Sequence, residues 1–299
     1  MGTVIEITLL GENEEATRKA ALQAFHEIRR IEQAMSPRIE SSDLTRINRS
    51  AGTEWVQVLP ETVEVIESAL KISELSMGAF DISVGPLVQL WSTATERKIP
   101  PSNEELQQKL ASINFKDVLI NPQRKVLLKK RGMAIHLGGI AKGYAVDRAF
   151  DLLRSLEYKN LIVNAGGDLK AGGLKEGHPW SIGIQDPRAP EKMMAKVSVS
   201  DSAMATSGDY ERFFIHQGKR YHHILNPSDG LPAEGCQSVT VLCKEGAIAD
   251  ALATAIFILG PEKGYLLCQK LEGVDCLIVN REREIIYSPG LKEHLSGLP

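Results

Sequence analysis

Strand-like and helix-like patterns follow one another in this chain without the regular alternation of βαβ units. That irregular order points to an α+β arrangement of mixed and antiparallel sheets with packed helices, not to a doubly wound sheet. Val4–Leu10 has strand character, and a helical pattern follows with Phe25, Ile28, Ile31 and Met35 on one face. Met35–Asn48 is turn-rich and leads into a short helix. Glu61–Met77 reads as an amphipathic helix ended by Gly78, and Asn103–Ser112 as another after Pro100-Pro101-Ser102. Val118–Ile120 and Lys125–Leu128 flank Asn121-Pro122-Gln123-Arg124 as a hairpin. Ala134–Leu137 reads as a brief strand, and a helix runs from Gly138-Gly139 to about Leu156. The rest is mostly strand: Leu161–Val163, Leu169–Ala171, Ser181–Ile184, Ala195–Val199, Phe213–Ile215, Tyr221–Leu225 and Ser238–Leu242. Helices Ala247–Leu259 and Lys263–Leu271 and strands Cys276–Val279 and Ile285–Tyr287 close the chain. With no repeat, low-complexity tract or linker, residues 1–299 are expected to act as one unit, at most as two closely packed subdomains.

Composition narrows the function classes. The 35 basic and 38 acidic residues leave a charge of −3 with no long block of one sign, so neither nucleic acid nor an anionic membrane is an expected partner. The longest apolar run, Ala247–Leu259, is too short to span a bilayer. Cys236, Cys243, Cys268 and Cys276 have no zinc-site spacing. They are expected as buried free thiols, with one disulfide available outside the cytoplasm.

Five segments carry the candidate chemistry. In His136-Leu137-Gly138-Gly139-Ile140-Ala141-Lys142-Gly143-Tyr144-Ala145-Val146-Asp147, adjacent glycines precede a helix with Lys142 in its first turn. Close backbone approach, free helix N–H groups and a cation suit a phosphate or pyrophosphate. A tight turn with Lys142 in solvent would fit the spacing as well. The order Lys-Gly is not a Walker loop, nor is the run GxGxxG. Asn164-Ala165-Gly166-Gly167-Asp168 follows a strand and reads as a tight turn, or as backbone passing under a flat ring. Ala205-Thr206-Ser207-Gly208-Asp209-Tyr210 could bind phosphate or cap a helix, and it is not a GxSxG nucleophile elbow. His222 and His223 fall on opposite faces of a strand, so either could accept a proton but the two cannot share a metal. Asp250 and Thr254 stand four residues apart on one helical face, where they could meet a hard cation completed by a phosphate. A dipole-favoured Asp and a Thr bonded to its own backbone explain the pair equally.

In their order along the chain these segments resemble the FAD:protein FMN transferase family, the ApbE-type proteins. The resemblance also takes in Met1-Gly2-Thr3, Met35-Ser36, Ser42-Asp43-Leu44, Ile47-Asn48, Leu90-Trp91 and the run from Gly78 to Leu87. It implies an ApbE-like, T-fold-related architecture and an enzyme that moves FMN from FAD to a Thr or Ser hydroxyl of an acceptor protein, releasing AMP. It further implies FAD contacts at Met1, Ala79, Phe80, Asp81, Lys142 and Ile224, and magnesium (Mg2+) held by the Gly139 carbonyl, Asp250 and Thr254. His223, or a nearby carboxylate such as Asp168, would be the proton acceptor. Acceptors in such a family include subunits of membrane redox complexes.

Two positions depart from the family pattern. His136 stands where an Asp contacting FAD is common, and Pro37-Arg38 where many members carry a Tyr over the flavin. Arg38 is therefore the position that bears on transfer against hydrolysis of FAD to FMN and AMP. A flavin carrier without catalysis is the reading from another class, and a flavin oxidoreductase ranks last because no nicotinamide fingerprint is present. No signal peptide precedes Met1-Gly2-Thr3. Since most members are exported and many lipid-anchored, the expectation is a trimmed body working at the cell envelope, with a cytoplasmic form as the alternative.

Overall fold

A computed structural model describes residues 2–297. Its centre is a seven-stranded antiparallel sheet: β1 (Ile5–Leu9), β2 (Leu161–Ala165), β3 (Asp168–Gly172), β4 (Ser202–Gly208), β5 (Cys236–Cys243), β6 (Asp275–Asn280) and β7 (Ile285–Tyr287). The order of strands across the sheet is their order along the chain, and each neighbouring pair is antiparallel. Every other element is an excursion between two adjacent strands, or the short tail after β7.

Period-two alternation divides the strand residues between two cores. Leu161 and Val163 of β2, Val239 and Val241 of β5, and Cys276 and Ile278 of β6 face the helices. Leu242, Leu277 and Val279, with Leu169 and Ala171 of β3, face a small sheet built from Trp180–Asp186, Ala189–Val199 and Leu295–Ser296. Each such Leu, Ile or Val removed from water contributes about 2 kcal/mol before chain entropy is counted.

The helical layer contains α1 (Glu14–Met35), α2 (Pro60–Leu75), α3 (Gly85–Arg97), α4 (Ala141–Ser155) and α5 (Gly246–Gln269). α1 packs on α4, α4 on α5, and α5 on β4 and β5. The buried stripe of α1 is Ala20, Ala24, Ile28, Ile31, Ala34 and Met35. Phe25, expected on that stripe, is instead 37% exposed. Small Ala20 and Ala24 occupy the inner face there, letting α4 approach. α2 stops at Leu75, because Met77 and Gly78 both turn left-handed.

The two helices expected at Ala247–Leu259 and Lys263–Leu271 stand within α5, separated by a sharp bend where Gly260, φ 80°, leaves helical geometry before Pro261. Counted across that bend, α5 is long and apolar enough to cross a membrane, the single such helix among the described residues. It lies in the core, with Leu252, Ile256 and Phe257 fully buried. Ala134–Leu137 is not the expected strand. Only Ala134 makes a bridge, to Val84, while Ile135 bonds the Asn48 side chain and the His136 N–H donates to Ile82. The four cysteines are buried free thiols.

Candidate active site

Gly166 and Gly167 form the two-residue turn between β2 and β3, with φ of 64° and 97°. Both central residues of such a turn need positive φ, which is what the double glycine supplies. The turn delivers Asp168 to the helix side, where its carboxylate pairs with Lys142 of α4 and accepts from the Thr206 backbone N–H. Gly138 and Gly139 do a different job, since neither has positive φ. A Cβ on Gly139 would stand 3.1 Å from the Phe80 ring and 3.2 Å from the Thr254 hydroxyl, so the absence of a side chain lets backbone lie against both.

Asp250 comes from the first turns of α5 and accepts from the Gly143 N–H at 3.2 Å. One turn further on, the Thr254 hydroxyl meets the Ser207 hydroxyl at 3.2 Å. Gly139, Lys142, Asp168, Asp250 and Thr254, distant in sequence, are thereby gathered in one place.

The charges there do not balance. Burial and the neighbouring Asp168 push the Asp250 carboxyl well above the usual carboxylate range. Burial raises Asp168 as well, against the pull of Lys142. Burial works against the Lys142 charge, yet Asp250 and Asp168 together hold its pKa above the ordinary lysine range. Two buried carboxylates share one ammonium, an excess of negative charge that favours a further cation. Among the described residues no group of three or more His, Cys, Asp or Glu is placed to hold a metal. The donors on hand are carboxylate, hydroxyl and carbonyl oxygens, a set suited to a hard divalent ion whose remaining positions a phosphate and water fill.

The adjacent histidines separate as their strand position requires. His222 is buried, with Nε2 2.9 Å from the Ala233 carbonyl and its ring edge-on to Phe257. His223 is exposed, and its backbone N–H donates to the Arg212 carbonyl at 3.1 Å. The surrounding protein, with the His222, Arg212 and Lys142 charges, holds its imidazole down to about 4. Burial and Arg212 hold His136 down to about 4 too. Both rings are therefore neutral at neutral pH.

Arg212, not singled out in the sequence, is the residue that links these parts. Its guanidinium donates to the Gly2 carbonyl at 3.4 Å, and its charge acts on His136 and His223 together. The one signal for it was its place two residues after the Ala205–Tyr210 motif.

Other candidates fall at the margin of this cluster or away from it. Phe80 and Ile224 are buried and Ala79 is partly exposed. Asp81 spends both carboxylate oxygens locally, accepting from the Ser83 N–H and hydroxyl at 2.7 and 2.6 Å and from the Phe115 N–H at 3.0 Å. It thus braces the loop that carries Ala79 and Phe80. Arg38 is exposed in the turn after α1, where its N–H donates to the Ser36 hydroxyl. Met1 lies outside the described residues.

Comparison with known proteins gives the family. Residues 1–278 match the model of the ApbE family. The FAD:protein FMN transferase of Treponema pallidum is 33% identical over 100% of this chain and 87% of its own length. That of Klebsiella pneumoniae is 32% identical over 100% and 92%. The ApbE protein of Thermotoga maritima superposes with a TM-score of 0.91 at 37% identity, covering 99% of this chain and 97% of that one. The flavin transferase ApbE of Vibrio cholerae gives 0.89 at 29%, covering 98% and 96%. The chain belongs to the ApbE family.

Proposed function

We propose that this enzyme, of the FAD:protein FMN transferase kind, cleaves FAD in a magnesium-dependent reaction and places FMN on a Thr or Ser hydroxyl of an acceptor protein, releasing AMP. The observation that carries the reading is the half-buried Lys142 with the buried Asp168 and Asp250 carboxylates beside Gly139 and Thr254, in a chain related throughout its length to flavin transferases. In this reading the Gly139 carbonyl, Asp250 and the Thr254 hydroxyl hold Mg2+. When bound, the ion would neutralise pyrophosphate charge and stabilise the departing AMP.

Lys142 faces a pyrophosphate oxygen. Ala79 and Phe80 lie against the flavin on the loop that Asp81 braces, with Met1, Arg38, His136 and Ile224 completing the FAD contacts. His223, or Asp168 beside Lys142, takes the proton of the acceptor hydroxyl. The hydroxyl oxygen bonds to the FMN-side phosphorus, the bond from that phosphorus to the bridging oxygen breaks, and AMP leaves with that oxygen. A neutral His223 is in the right state to accept a proton at neutral pH.

Hydrolysis is the competing outcome, since Pro37-Arg38 replaces the family's tyrosine. The deciding experiment supplies FAD, Mg2+ and a protein fused to a Ser/Thr-bearing acceptor peptide, and follows AMP and acceptor mass. AMP with an acceptor heavier by one FMN supports transfer. AMP with free FMN means water is the nucleophile, and FAD retained without AMP means a carrier.

A further inference from the structure

α4 and α5 cross where each carries the same short pattern, a glycine followed four residues later by an aspartate: Gly143 with Asp147, and Gly246 with Asp250. The two backbones touch. A Cβ on Gly143 would stand 2.1 Å from the Gly246 carbonyl oxygen, and one on Gly246 would stand 2.7 Å from the Gly143 carbonyl oxygen. The aspartates are exchanged across the crossing. Gly143 N–H donates to Asp250 at 3.2 Å, while Gly246 N–H and Ala247 N–H donate to the two oxygens of Asp147 at 2.9 Å each.

The second half of this exchange replaces a missing cap. The N-terminus of α5 has free N–H groups to satisfy, and its own N-cap residue, Glu245, makes no side-chain capping bond. Asp147 does so from another helix. Lys170 of β3 donates to the same carboxylate at 2.9 Å, a third bond beside the two from the backbone. Asp168 and Lys170, two residues apart on the helix-facing side of β3, thus each bind a residue of α4.

We propose that Asp147 is a positioning residue for FAD cleavage, fixing through its cap on α5 the depth at which Asp250 enters the site. This rests on the site reading given under Proposed function. Asp250 lies one turn beyond the capped N–H groups, so a shift of the first turn carries its carboxylate directly, at about 1.5 Å per residue of slippage.

The test uses full-length Asp147→Ala, Asp147→Asn and Asp250→Asn proteins and reads Mn2+ binding by electron paramagnetic resonance in the presence of FAD, well below each variant's melting temperature. Hydrogen exchange at the Gly246 and Ala247 amides is followed in parallel. Loss of an outer residue that orients a metal ligand weakens metal binding about 10- to 100-fold, and that range is expected for Asp147→Ala. Asp147→Asn, which keeps one acceptor oxygen but turns an amide toward a donor, should fall between it and the parent, with faster exchange at both amides in each variant. FAD affinity measured without metal should hold at the parent value, which a general loosening of the fold would not allow. Parent-like Mn2+ affinity in both Asp147 variants, with Asp250→Asn impaired, overturns this inference alone. Parent-like affinity in Asp250→Asn overturns the underlying site reading and this inference with it. If Asp147→Ala does not fold, Asp147→Asn decides.

Discussion

The aspartates on either side of the α4–α5 crossing live in opposite electrostatic conditions. Asp147 has two short backbone bonds and Lys170 at 2.9 Å, a lysine whose other carboxylate, Asp151, is solvent-exposed and stands off at 3.8 Å. Asp250 has one longer backbone bond and shares Lys142 with a second carboxylate. Sequence pattern, burial and helix geometry are nearly the same for both, so none of these distinguishes a brace from a reaction site. The surplus of negative charge does. A fully paired carboxylate holds the chain in place, whereas an underpaired one stores an affinity for something that arrives from outside.

The comparison can be broken at either aspartate. Asp250→Ala has the largest expected effect: AMP release from FAD should fall about 10³-fold or more, since the carboxylate proposed to hold the cation is gone. Near-parent turnover would mean that the surplus charge has no catalytic meaning. His223→Ala should follow, lowering turnover about 10²-fold while FAD binding, read by flavin fluorescence quenching, persists. Lys170→Met attacks the balanced side. It should cost about 2 kcal/mol of stability in urea titrations, because Asp147 keeps its backbone donors but loses its counter-charge. Lys142→Met should instead act mainly on FAD turnover, because its carboxylate neighbours already have raised pKa values and can take up protons.

The smallest effect is a pH dependence. His136, held down to about 4, and His222, lowered by burial, both have folded pKa values below the ordinary 6.5 of an exposed imidazole. The unfolded chain therefore binds protons first as pH falls. The stability these neutral rings contribute is complete above about pH 6.5 and is lost progressively toward pH 4. Melting temperatures measured across that window should decline, and His222→Asn should flatten the decline.

Much of the fold could be read from local chemistry. The turn at Gly166-Gly167, the break at Gly260-Pro261 and the stop at Gly78 are all places where one residue's φ decides the path, and they stand as expected. α3 is not among the elements expected from the sequence, although Pro86 at its start is a helix-opening signal. Ala134–Leu137 has strand composition, but its hydrogen bonds go to a side chain of the Asp43–Arg49 helix and to the loop before α3, pairings that local composition does not encode. The site divides in the same way. Lys142, Asp168, Asp250 and Thr254 stand in glycine-rich or helical spacings that make them candidates but fit structural roles equally well. Arg212 and Asp147 matter through partners far along the chain, at Gly2 and Gly246, and those meetings exist only once the helices and sheet have assembled.

Because the strands are laid down in chain order, nearly all of the sheet can grow by adding each new strand to the last edge. The exception is the first pairing, in which Ile5 must find Ala165 across the whole helical excursion. Closing so long a loop is entropically slow, whereas β2 through β7 need only shorter closures. The N-terminal strand is thus expected to dock late during synthesis or refolding. It brings Gly2 to Arg212 and Thr3 to the Gly166 turn, so the surroundings of Arg212 and of that turn would be the last part of the molecule to mature.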